Sequence, residues 1–312
     1  MITILAGGTG SVKLVRGLAR LERKKEGESI NVVANVGDNI WLHELYVCPD
    51  IDTIVYGLAG MLDEKRGWGV KGDTFSFLSQ MKRSGAPAWF GLGDRDLATH
   101  VLRTEMMKAG KSLTQVTAHF AEKFGVSATV LPATDSEVET MLSTGTGEMH
   151  LQEFWVKNAG RPEVRGVRYR GIEKARSTRQ ALAAINNADR IIIAPGNPVS
   201  SIGPTLALKD IRAALTKRRA DVVAVSPIIG NAAVSGPAVK YLNAVGVQPS
   251  AAGVAEFYSQ VAGSIVIDGR DREAADKIRR LGMDVHETNI TMQGRKDEVR
   301  LGRYLLQLRK SH

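Results

Sequence analysis

The chain has 312 residues, of which 43% are hydrophobic and 24% charged, and its formal net charge is +9. This length accommodates one elaborated domain or two smaller ones with a sizeable core. No apolar run approaches the roughly 18 residues that a membrane helix requires, so we expect no membrane partner. Basic residues are spread along the chain without interleaved aromatic residues, so we expect no nucleic-acid partner. They form a solvated surface or attract an anionic small substrate.

The single cysteine, Cys48, cannot form an internal disulfide, which is typical of a reducing compartment. The first apolar run has no basic segment before it and ends at Gly7 and Gly8, so it does not resemble a secretory signal. We therefore expect a cytoplasmic protein. Cys48 precedes Pro49, and we interpret this lone thiol as a buried filler rather than a nucleophile.

The first ten residues combine a short apolar run with a glycine-rich turn, and Ser11–Leu21 then has a helical pattern. Backbone N–H groups at such a turn, together with the helix dipole, bind phosphate, and Lys13 can add a positive charge. The turn matches neither standard nucleotide fingerprint, and a turn that requires glycine for backbone reasons alone is the alternative. The predicted phosphate contacts are Gly8, Thr9, Gly10 and Lys13.

Short, mainly apolar runs alternate with helical stretches along much of the chain. The runs are Ile2–Ala6, Ile30–Asn35, Arg190–Ala194, Asp221–Ser226 and Ser264–Asp268. The helical stretches are Ser11–Glu26, Thr178–Asn187, Leu208–Lys217 and Ala238–Val245. Runs without polar alternation are expected in strands that helices cover on both faces. The pattern predicts an α/β fold with a doubly wound, mostly parallel, Rossmann-like sheet.

The middle of the chain has a different pattern. Residues 54–115 are mostly helical and polar, whereas Thr129–Leu131 and Val138–Ser143 predict strands. A turn at residues 144–147 precedes further strand character over Glu148–Val156, which favours a hairpin. We expect a smaller, mainly helical subdomain carrying a β-hairpin at residues 61–175. It would be inserted into a core formed by residues 1–60 and 176–312.

Ligands of open α/β sheets bind beyond the carboxyl ends of the strands. Three loops at such positions, which begin at Asn35, Pro195 and Pro227, are rich in Gly, Asn, Ser and Pro. They offer N–H, amide and hydroxyl groups to a nucleotide, although such residues also simply form turns. The predicted contacts in these loops are Asn35, Asp38, Asn197, Ser200, Ser201, Gly203, Gly230 and Asn231.

Two acidic pairs offer oxygen ligands for a phosphate-bound Mg²⁺. Asp50 and Asp52 would share one face of an extended segment; capping of a helix that begins near Thr53 is the alternative. In the string Gly93-Asp94-Arg95-Asp96, the guanidinium can clamp phosphate or form a structural Asp–Arg contact. The histidines have no metal-binding spacing, and His100 is the one that we single out for testing.

Several strings occur in an order that resembles one family. They are residues 5–10 (LAGGTG), 35–38 (NVGD), 48–53 (CPDIDT), 66–69 (RGWG), 92–100 (LGDRDLATH), 131–135 (LPATD), 152–156 (QEFWV), 197–204 (NPVSSIGP) and 226–230 (SPIIG). From about residue 2 to residue 268, the chain resembles the 2-phospho-L-lactate transferase family of coenzyme F-420 biosynthesis.

The resemblance implies a Mg²⁺-dependent transferase with a parallel α/β core and a smaller inserted domain. Such enzymes move a phospholactyl, phosphoenolpyruvyl or phosphoglyceryl group from a guanosine-diphosphate-linked donor and release GMP. The acceptor is the ribityl hydroxyl of 7,8-didemethyl-8-hydroxy-5-deazariboflavin. The resemblance further implies that the glycine turn and the later loops hold the donor.

For the acids, the resemblance implies that Asp52 contacts the deazaflavin and that Asp50 is a metal ligand. We assign both residues to catalysis and to the metal. Members of the family often carry lysine or another polar residue where this chain has Gly91, so a side-chain contact to the acceptor is absent there. The predicted acceptor contacts are Asp52, Trp68, Gly91, Asp94 and Arg95.

A second interpretation is a regulator, because related proteins of this fold bind nucleotide-linked sugars without transferase activity. Only a transferase requires Trp68, Leu92–His100 and Gln152–Val156 to form an acceptor pocket. A nicotinamide-dependent dehydrogenase is disfavoured by the glycine spacing. No motif distinguishes the three-carbon acid of the donor, and a homodimer is expected only from its general frequency.

Overall fold

The computed structural model describes residues 1–22, 29–230, 232–233 and 237–308. The first elements are β1 (Ile2–Ala6), α1 (Gly8–Glu22), β2 (Ile30–Ala34), β3 (Ile40–Leu42), β4 (Leu45–Val47) and α2 (Pro49–Ala59). The predicted strand at Ile2–Ala6 is confirmed. The helix predicted from Ser11 begins three residues earlier, at Gly8, and the end of that prediction, residues 23–26, lies outside the described residues.

The middle of the chain forms helices and a small antiparallel sheet. Its elements are α3 (Ser76–Arg83), α4 (Asp94–Lys108), α5 (Leu113–Lys123), β5 (Thr129–Pro132), β6 (Glu139–Thr144), β7 (Gly147–His150), β8 (Val164–Arg170) and α6 (Arg179–Asn187). The predicted hairpin is confirmed by the antiparallel pairing of β6 with β7. The predicted strand over Glu148–Val156 is wrong beyond His150, because Glu153–Lys157 forms a π-helix.

The last part of the described chain alternates strands with helices. Its elements are β9 (Arg190–Ile193), α7 (Gly203–Ala207), α8 (Lys209–Lys217), β10 (Val222–Val225), β11 (Ile228–Ile229), β12 (Ala232–Ala233), α9 (Ala238–Ala244), α10 (Ala251–Tyr258), β13 (Ser264–Asp268), α11 (Ala275–Arg279), β14 (Asp284–Thr288) and α12 (Arg295–Gln307). Among the described residues, no helix combines the length and the apolar character needed to cross a membrane.

Seven strands form the central sheet, in the order β14-β13-β10-β9-β1-β2-β5. All neighbouring strands pair in parallel. Every residue of β1, β2, β10 and β13 is buried, as expected where helices cover both faces of a sheet. The predicted α/β class with a doubly wound parallel sheet is therefore confirmed.

The segment predicted as an insertion, residues 61–175, does not stay apart from this sheet. It contains β5, which pairs in parallel with β2 and forms the sheet edge. The helices α3–α5 precede β5 in the chain, whereas the small sheet β6–β8 follows it. The chain therefore leaves the core twice in this region and returns to it in between.

The direction of winding reverses at β1, which pairs with β2 on one side and β9 on the other. Such a switch point opens a crevice beyond the carboxyl ends of the two diverging strands, where ligands of this fold class bind. The loops after β1 and β9 meet there. A Cβ atom on Gly196 would lie only 2.6 Å from the carbonyl oxygen of Gly7, so the approach of the two backbones requires glycine.

Helix α1, which begins at this crevice, packs tightly on α12. A Cβ atom on Gly17 would lie 2.2 Å from the carbonyl oxygen of Glu298, and one on Gly302 would lie 3.4 Å from the carbonyl carbon of Gly17. The buried side chains of Arg16 and Glu298 form an ion pair beside this contact. The two glycines and the ion pair therefore fix α1 against the C-terminal helix.

Candidate active site

A cavity of about 240 Å³ lies beside the glycine turn that follows β1. Its walls come from the glycine turn, the start of α2, the loop after α2, the start of α4 with the residues before it, and the π-helix. The lining residues are Gly8, Thr9, Val47, Pro49, Asp50, Asp52, Thr53, Tyr56, Trp68, Gly69, Phe90, Gly91, Asp96, His100, Gln152, Trp155 and Val156. The three segments that the transferase interpretation required in one pocket are therefore brought together.

Asp50 is buried where the cavity meets the glycine turn. Its Oδ1 accepts a hydrogen bond from the backbone N–H of Gly8 at 2.7 Å, and its Oδ2 accepts one from Nδ2 of Asn35 at 2.8 Å. The same Asn35 amide donates to the carbonyl of Ser200 at 3.1 Å. Burial raises the pKa of Asp50, and these two hydrogen bonds to its carboxylate oppose the rise. Asp50 thus connects the loops that follow β1, β2 and β9.

The glycine turn differs from a simple phosphate site, because the N–H of Gly8 already donates to Asp50. The next two amides of α1, those of Thr9 and Gly10, have no intrahelical acceptor because they lie in its first turn. A smaller cavity of about 60 Å³ lies beside them and is lined by Thr9, Gly10, Lys13, Pro195, Ser226, Ile290 and Met292. Nζ of Lys13 donates to the carbonyl of Met292 at 3.1 Å. The turn therefore offers the amides after Gly8, together with the ammonium group of Lys13.

Asp50 and Asp52 do not share one face, contrary to the prediction from an extended segment. Helix α2 begins at Pro49, so both acids lie in its first turn, where residues two apart are separated by about 200° around the axis. Asp50 turns to Gly8, and Asp52 turns to Arg103. The alternative of a helix that begins near Thr53 is also wrong by one turn. Both carboxylates still line the larger cavity.

Asp52 forms a bidentate ion pair with Arg103 of α4. Nη1 of Arg103 donates to Oδ2 at 3.0 Å, and Nη2 donates to Oδ1. The two side chains are 9% and 2% exposed, respectively. Burial raises the pKa of Asp52, whereas the charges of Arg103 and His100 oppose the rise. The guanidinium holds the Asp52 carboxylate in one orientation in the cavity wall.

His100, Asp96 and Tyr56 extend this polar network along the cavity. Nδ1 of His100 lies 3.1 Å from Nη1 of Arg103, and its Nε2 lies 3.4 Å from Oδ1 of Asp96. The Tyr56 hydroxyl donates to the same Asp96 oxygen at 2.8 Å. Ligand atoms of Asp52, Asp96 and His100 lie within 4.8 Å of one another, but the permanent charge of Arg103 beside them repels a cation. We assign no metal to this cluster.

A further buried carboxylate, Asp38, lies in the loop after β2. Burial, and then the charge of Asp50, raise the pKa of Asp38 well above its ordinary value. Among the described residues, Oδ1 of Asp38 is buried without a hydrogen-bond partner. Within the described part of the chain, each oxygen of Asp50 accepts one hydrogen bond and keeps a second lone pair, and Oδ1 of Asp38 accepts none, whereas the charge of Asp52 is already balanced by the Arg103 guanidinium. Oxygen donors of this kind fit Mg²⁺.

The loop after β9 contributes mainly structure. The Asn197 side chain accepts hydrogen bonds from the amides of Val199 and Ser200 at 3.0 and 3.3 Å. Ser200 and Ser201 are buried, and the Ser201 hydroxyl lies 2.8 Å from where a Cβ on Gly8 would stand.

Two other predicted donor contacts, Gly203 and Gly230, also have protein partners. The Tyr169 hydroxyl would lie 2.0 Å from a Cβ on Gly203, and the N–H of Gly230 donates to Asp271 at 2.9 Å. The predicted contact at Asn231 lies outside the described residues. Gly203 and Gly230 line neither cavity, whereas Ser201 lies beside the glycine turn.

Asp94 and Arg95, which were predicted to contact the acceptor, do not line the cavity. The neighbouring residue Asp96 does. The Asp94 carboxylate accepts hydrogen bonds from the Thr74 hydroxyl and from the amides that begin α3, and the Arg95 side chain is exposed. The predicted acceptor contacts at these two residues are therefore not supported by their positions. The alternative Asp–Arg contact does not describe Asp94 either, since its partners belong to the neighbouring segment.

Asp94 leads to a prediction about acid stability. Hydrogen bonds from Thr74, and then from the amides of Phe77 and Ser76, lower the pKa of Asp94 from 3.8 to about 2. A lowered carboxyl pKa stabilises the fold above the unfolded value, and this contribution disappears as the pH falls through the folded value. We expect Asp94→Asn to lower the melting temperature at pH 6, and the difference from wild type to shrink towards pH 2.

Circular dichroism melts of both proteins between pH 2 and pH 6 measure this difference. Asp276→Asn serves as the control, because the Asp276 side chain is 86% exposed. A difference between Asp94→Asn and wild type that is as large at pH 2 as at pH 6 would contradict the prediction.

Cys48 is fully buried, and burial raises the pKa of its thiol to about 12. The thiolate is therefore scarce near neutral pH. The interpretation of Cys48 as a buried filler is confirmed.

Comparison with known proteins shows to which family the chain belongs. The 2-phospho-L-lactate transferase CofD family matches residues 2–300. A 2-phospho-L-lactate transferase of Methanosarcina mazei is 39% identical over 304 residues, covering 97% of this chain and 99% of that protein. A phosphoenolpyruvate transferase of Streptomyces griseus is 38% identical over 313 residues, covering 98% of each. The crystal structure of a UPF0052 family protein from Bacillus halodurans shares the fold, with a TM-score of 0.68 at 16% identity over 98% of both chains.

The parallel sheet and these similarities define an α/β transferase. The same strings that carried the resemblance fall within the matched region. The chain belongs to the 2-phospho-L-lactate transferase CofD family. This membership supports a role in coenzyme F-420 biosynthesis.

Proposed function

We propose that the protein transfers a phosphorylated three-carbon acid from a guanosine-diphosphate-linked donor to the ribityl hydroxyl of 7,8-didemethyl-8-hydroxy-5-deazariboflavin. The observation that carries this proposal is that Thr9 lines both cavities. The larger cavity has aromatic walls that suit a planar ring system, and the smaller one borders the amides of α1. A donor diphosphate at Thr9 therefore lies directly beside an acceptor in the larger cavity.

We assign the binding site of the donor diphosphate to the first turn of α1. The N-terminal amides and the helix dipole favour a diphosphate there, and Lys13 adds a positive charge at the edge of the smaller cavity. Ser201 lies behind the turn.

Mg²⁺, which the family implies, fits the oxygen donors of Asp38 and Asp50 better than the predicted pair Asp50 and Asp52. When bound, the ion would offset the charge on the diphosphate and on the departing GMP. Asp50 also holds the N–H of Gly8, so the same carboxylate that faces the metal site shapes the turn that receives the phosphates.

In the reaction, the ribityl oxygen attacks the phosphorus that bears the three-carbon acid. A new P–O bond forms while the P–O bond to GMP breaks, and positioning supplies most of the catalysis in such transfers. We assign Asp52 to orient the hydroxyl and to accept its proton. Its carboxylate lines the larger cavity and is fixed there by Arg103.

The test is mass spectrometry of the purified protein after incubation with deazariboflavin, Mg²⁺ and one guanylyl donor at a time. We expect a phosphodiester product and GMP with one of the lactate, enolpyruvate and glycerate donors. Omission of Mg²⁺ is the control and is expected to abolish the product. Binding of a guanylyl donor without product from any of the three would favour the regulator instead.

A further inference from the structure

The indole of Trp68 packs edge-on against Gly91 in the wall of the larger cavity. A Cβ atom on Gly91 would lie 2.5 Å from Cη2 of Trp68 and 3.2 to 3.3 Å from two further atoms of the ring. Real Cβ atoms do not approach neighbours this closely, so alanine at position 91 would displace the indole. Gly91 thus has a positive role, because its missing side chain makes room for the ring.

The loop that carries Trp68 holds the indole in place from the other directions. The Arg66 guanidinium carbon lies 5.1 Å from the centre of the Trp68 ring, and Arg66 is itself bonded to Asp63 at 3.0 Å. Phe75 contacts the indole with a ring separation of 6.5 Å at 76°. Gly67 and Gly69, on either side of Trp68, have φ values of +79° and +70°, a backbone conformation that favours glycine.

The same loop touches the glycine turn. A Cβ atom on Gly67 would lie 3.2 Å from the Thr9 side chain. The loop that carries Trp68 therefore lies against Thr9, the residue shared by the two cavities. Although it is supported on several sides, the Trp68 side chain remains 39% exposed at the cavity.

Trp155, on another wall of the cavity, repeats the arrangement. A Cβ atom on Gly160 would lie 2.9 Å from two atoms of the Trp155 indole. Gly160 has a φ of +63°, and its N–H donates to the carbonyl of Phe154 at 2.8 Å. Trp155 is 45% exposed. Two indoles thus line one cavity, each held against a glycine and each partly open to a ligand.

We propose that Gly91 is a specificity-determining residue, because it sets the position at which Trp68 stacks on the planar ring of the acceptor. The inference rests on the proposed function and adds to it. The side chains of Trp68 and Trp155 supply the aromatic faces that recognise the acceptor ring. Gly91 and Gly160 fix the positions of these two indoles. Aromatic faces recognise flat ring systems by offset stacking, and a shift of the ring weakens that contact.

The experiment compares Gly91→Ala with Gly269→Ala, a control at a position where a Cβ would meet nothing within 4 Å. Two quantities are measured for each variant. Fluorescence titration gives the Kd for deazariboflavin without donor, and steady-state kinetics give KM for the acceptor and for the guanylyl donor. We expect Gly91→Ala to raise the acceptor Kd and KM by about tenfold or more, with an unchanged donor KM.

A third variant separates stacking from a general loss of structure. Phenylalanine at position 68 is smaller than tryptophan and relieves the contact with a Cβ at position 91. We expect the double variant Gly91→Ala/Trp68→Phe to bind the acceptor as well as Trp68→Phe alone, which is non-additive behaviour between touching residues. A purely structural defect would lower binding by the same factor in both backgrounds.

The outcomes separate the inference from the proposed function. If the wild type forms product but Gly91→Ala binds the acceptor as the control does, the inference fails and the function stands. If deazariboflavin binds, and binds more weakly to Gly91→Ala, but no product forms with any donor, the inference stands and the function fails. Absence of any binding of deazariboflavin to the wild type overturns both.

Discussion

Replacement of Asp50 by asparagine is expected to lower turnover by at least about 100-fold. The Asp50 carboxylate accepts hydrogen bonds from Gly8 and from Nδ2 of Asn35. An asparagine can keep only one of them, because its own amide N–H₂ would face the N–H₂ of Asn35. The variant also lacks the negative charge to which we assign metal binding. We therefore expect the Mg²⁺ concentration that gives half-maximal activity to rise.

Initial rates at varied Mg²⁺ measure both effects, with circular dichroism to check the fold. Asp94→Asn is the matched control: it also removes an acid from the first turn of a helix, but one outside the cavity lining. We expect its turnover at neutral pH to stay close to that of the wild type. Equal losses in Asp50→Asn and Asp94→Asn would remove Asp50 from the mechanism.

Replacement of Arg103 by methionine is expected to lower the free energy of unfolding by about 3–5 kcal/mol. The substitution keeps an unbranched side chain but leaves Asp52 as a buried charge without its bidentate partner. Asp96 lies in the same network and adds a second negative charge. Loss of one member of a buried ion pair is costly because the other loses its compensation without regaining water.

Urea denaturation at pH 7 measures this loss. Arg168→Met is the control, because the Arg168–Glu148 pair is exposed (55% and 33%) and solvent screens such pairs, so that they contribute little to stability. The double variant Arg103→Met/Asp52→Asn removes both charges and is expected to recover part of the stability. An Arg103→Met protein no less stable than Arg168→Met would show that Asp52 does not depend on the guanidinium.

The central sheet was predictable because a strand covered on both faces is mainly apolar and lacks polar alternation. Ile2–Ala6 and Ser264–Asp268 carry this signal, and both were predicted with the bounds that the structure shows. β14 has no such run, since exposed and half-buried residues make up Asp284–Thr288 at the sheet edge. An edge strand of this kind gives too weak an apolar signal for prediction from sequence.

The relative positions of Asp50 and Asp52 were harder to predict from the sequence, because they depend on where α2 begins. Proline is common at the first position of a helix, so Pro49 was the available signal that Asp50 and Asp52 lie in one helical turn. Arg103 follows His100 by three residues on α4, a spacing that places two side chains on one face. Its pairing with Asp52 could not be derived, because it joins α4 to α2 through tertiary packing.

The acceptor site, too, could be predicted only in part. Trp68 was predicted from the family strings rather than from physical chemistry, and the cavity lining includes it. Trp155 lies in a π-helix, a rare element that periodicity does not reveal. The packing of Trp68 on Gly91 depends on distances between segments that are far apart in sequence.

The contact between Gly17 and Gly302 gives the carboxyl-terminal helix an influence beyond its own surface. Among the described residues, α12 lines neither cavity, yet its backbone touches the helix whose first turn faces them. A larger residue at either glycine would tilt α1 and misalign its amides with the incoming diphosphate. The packing of α12 on α1 is therefore part of what holds the phosphate-facing amides in place.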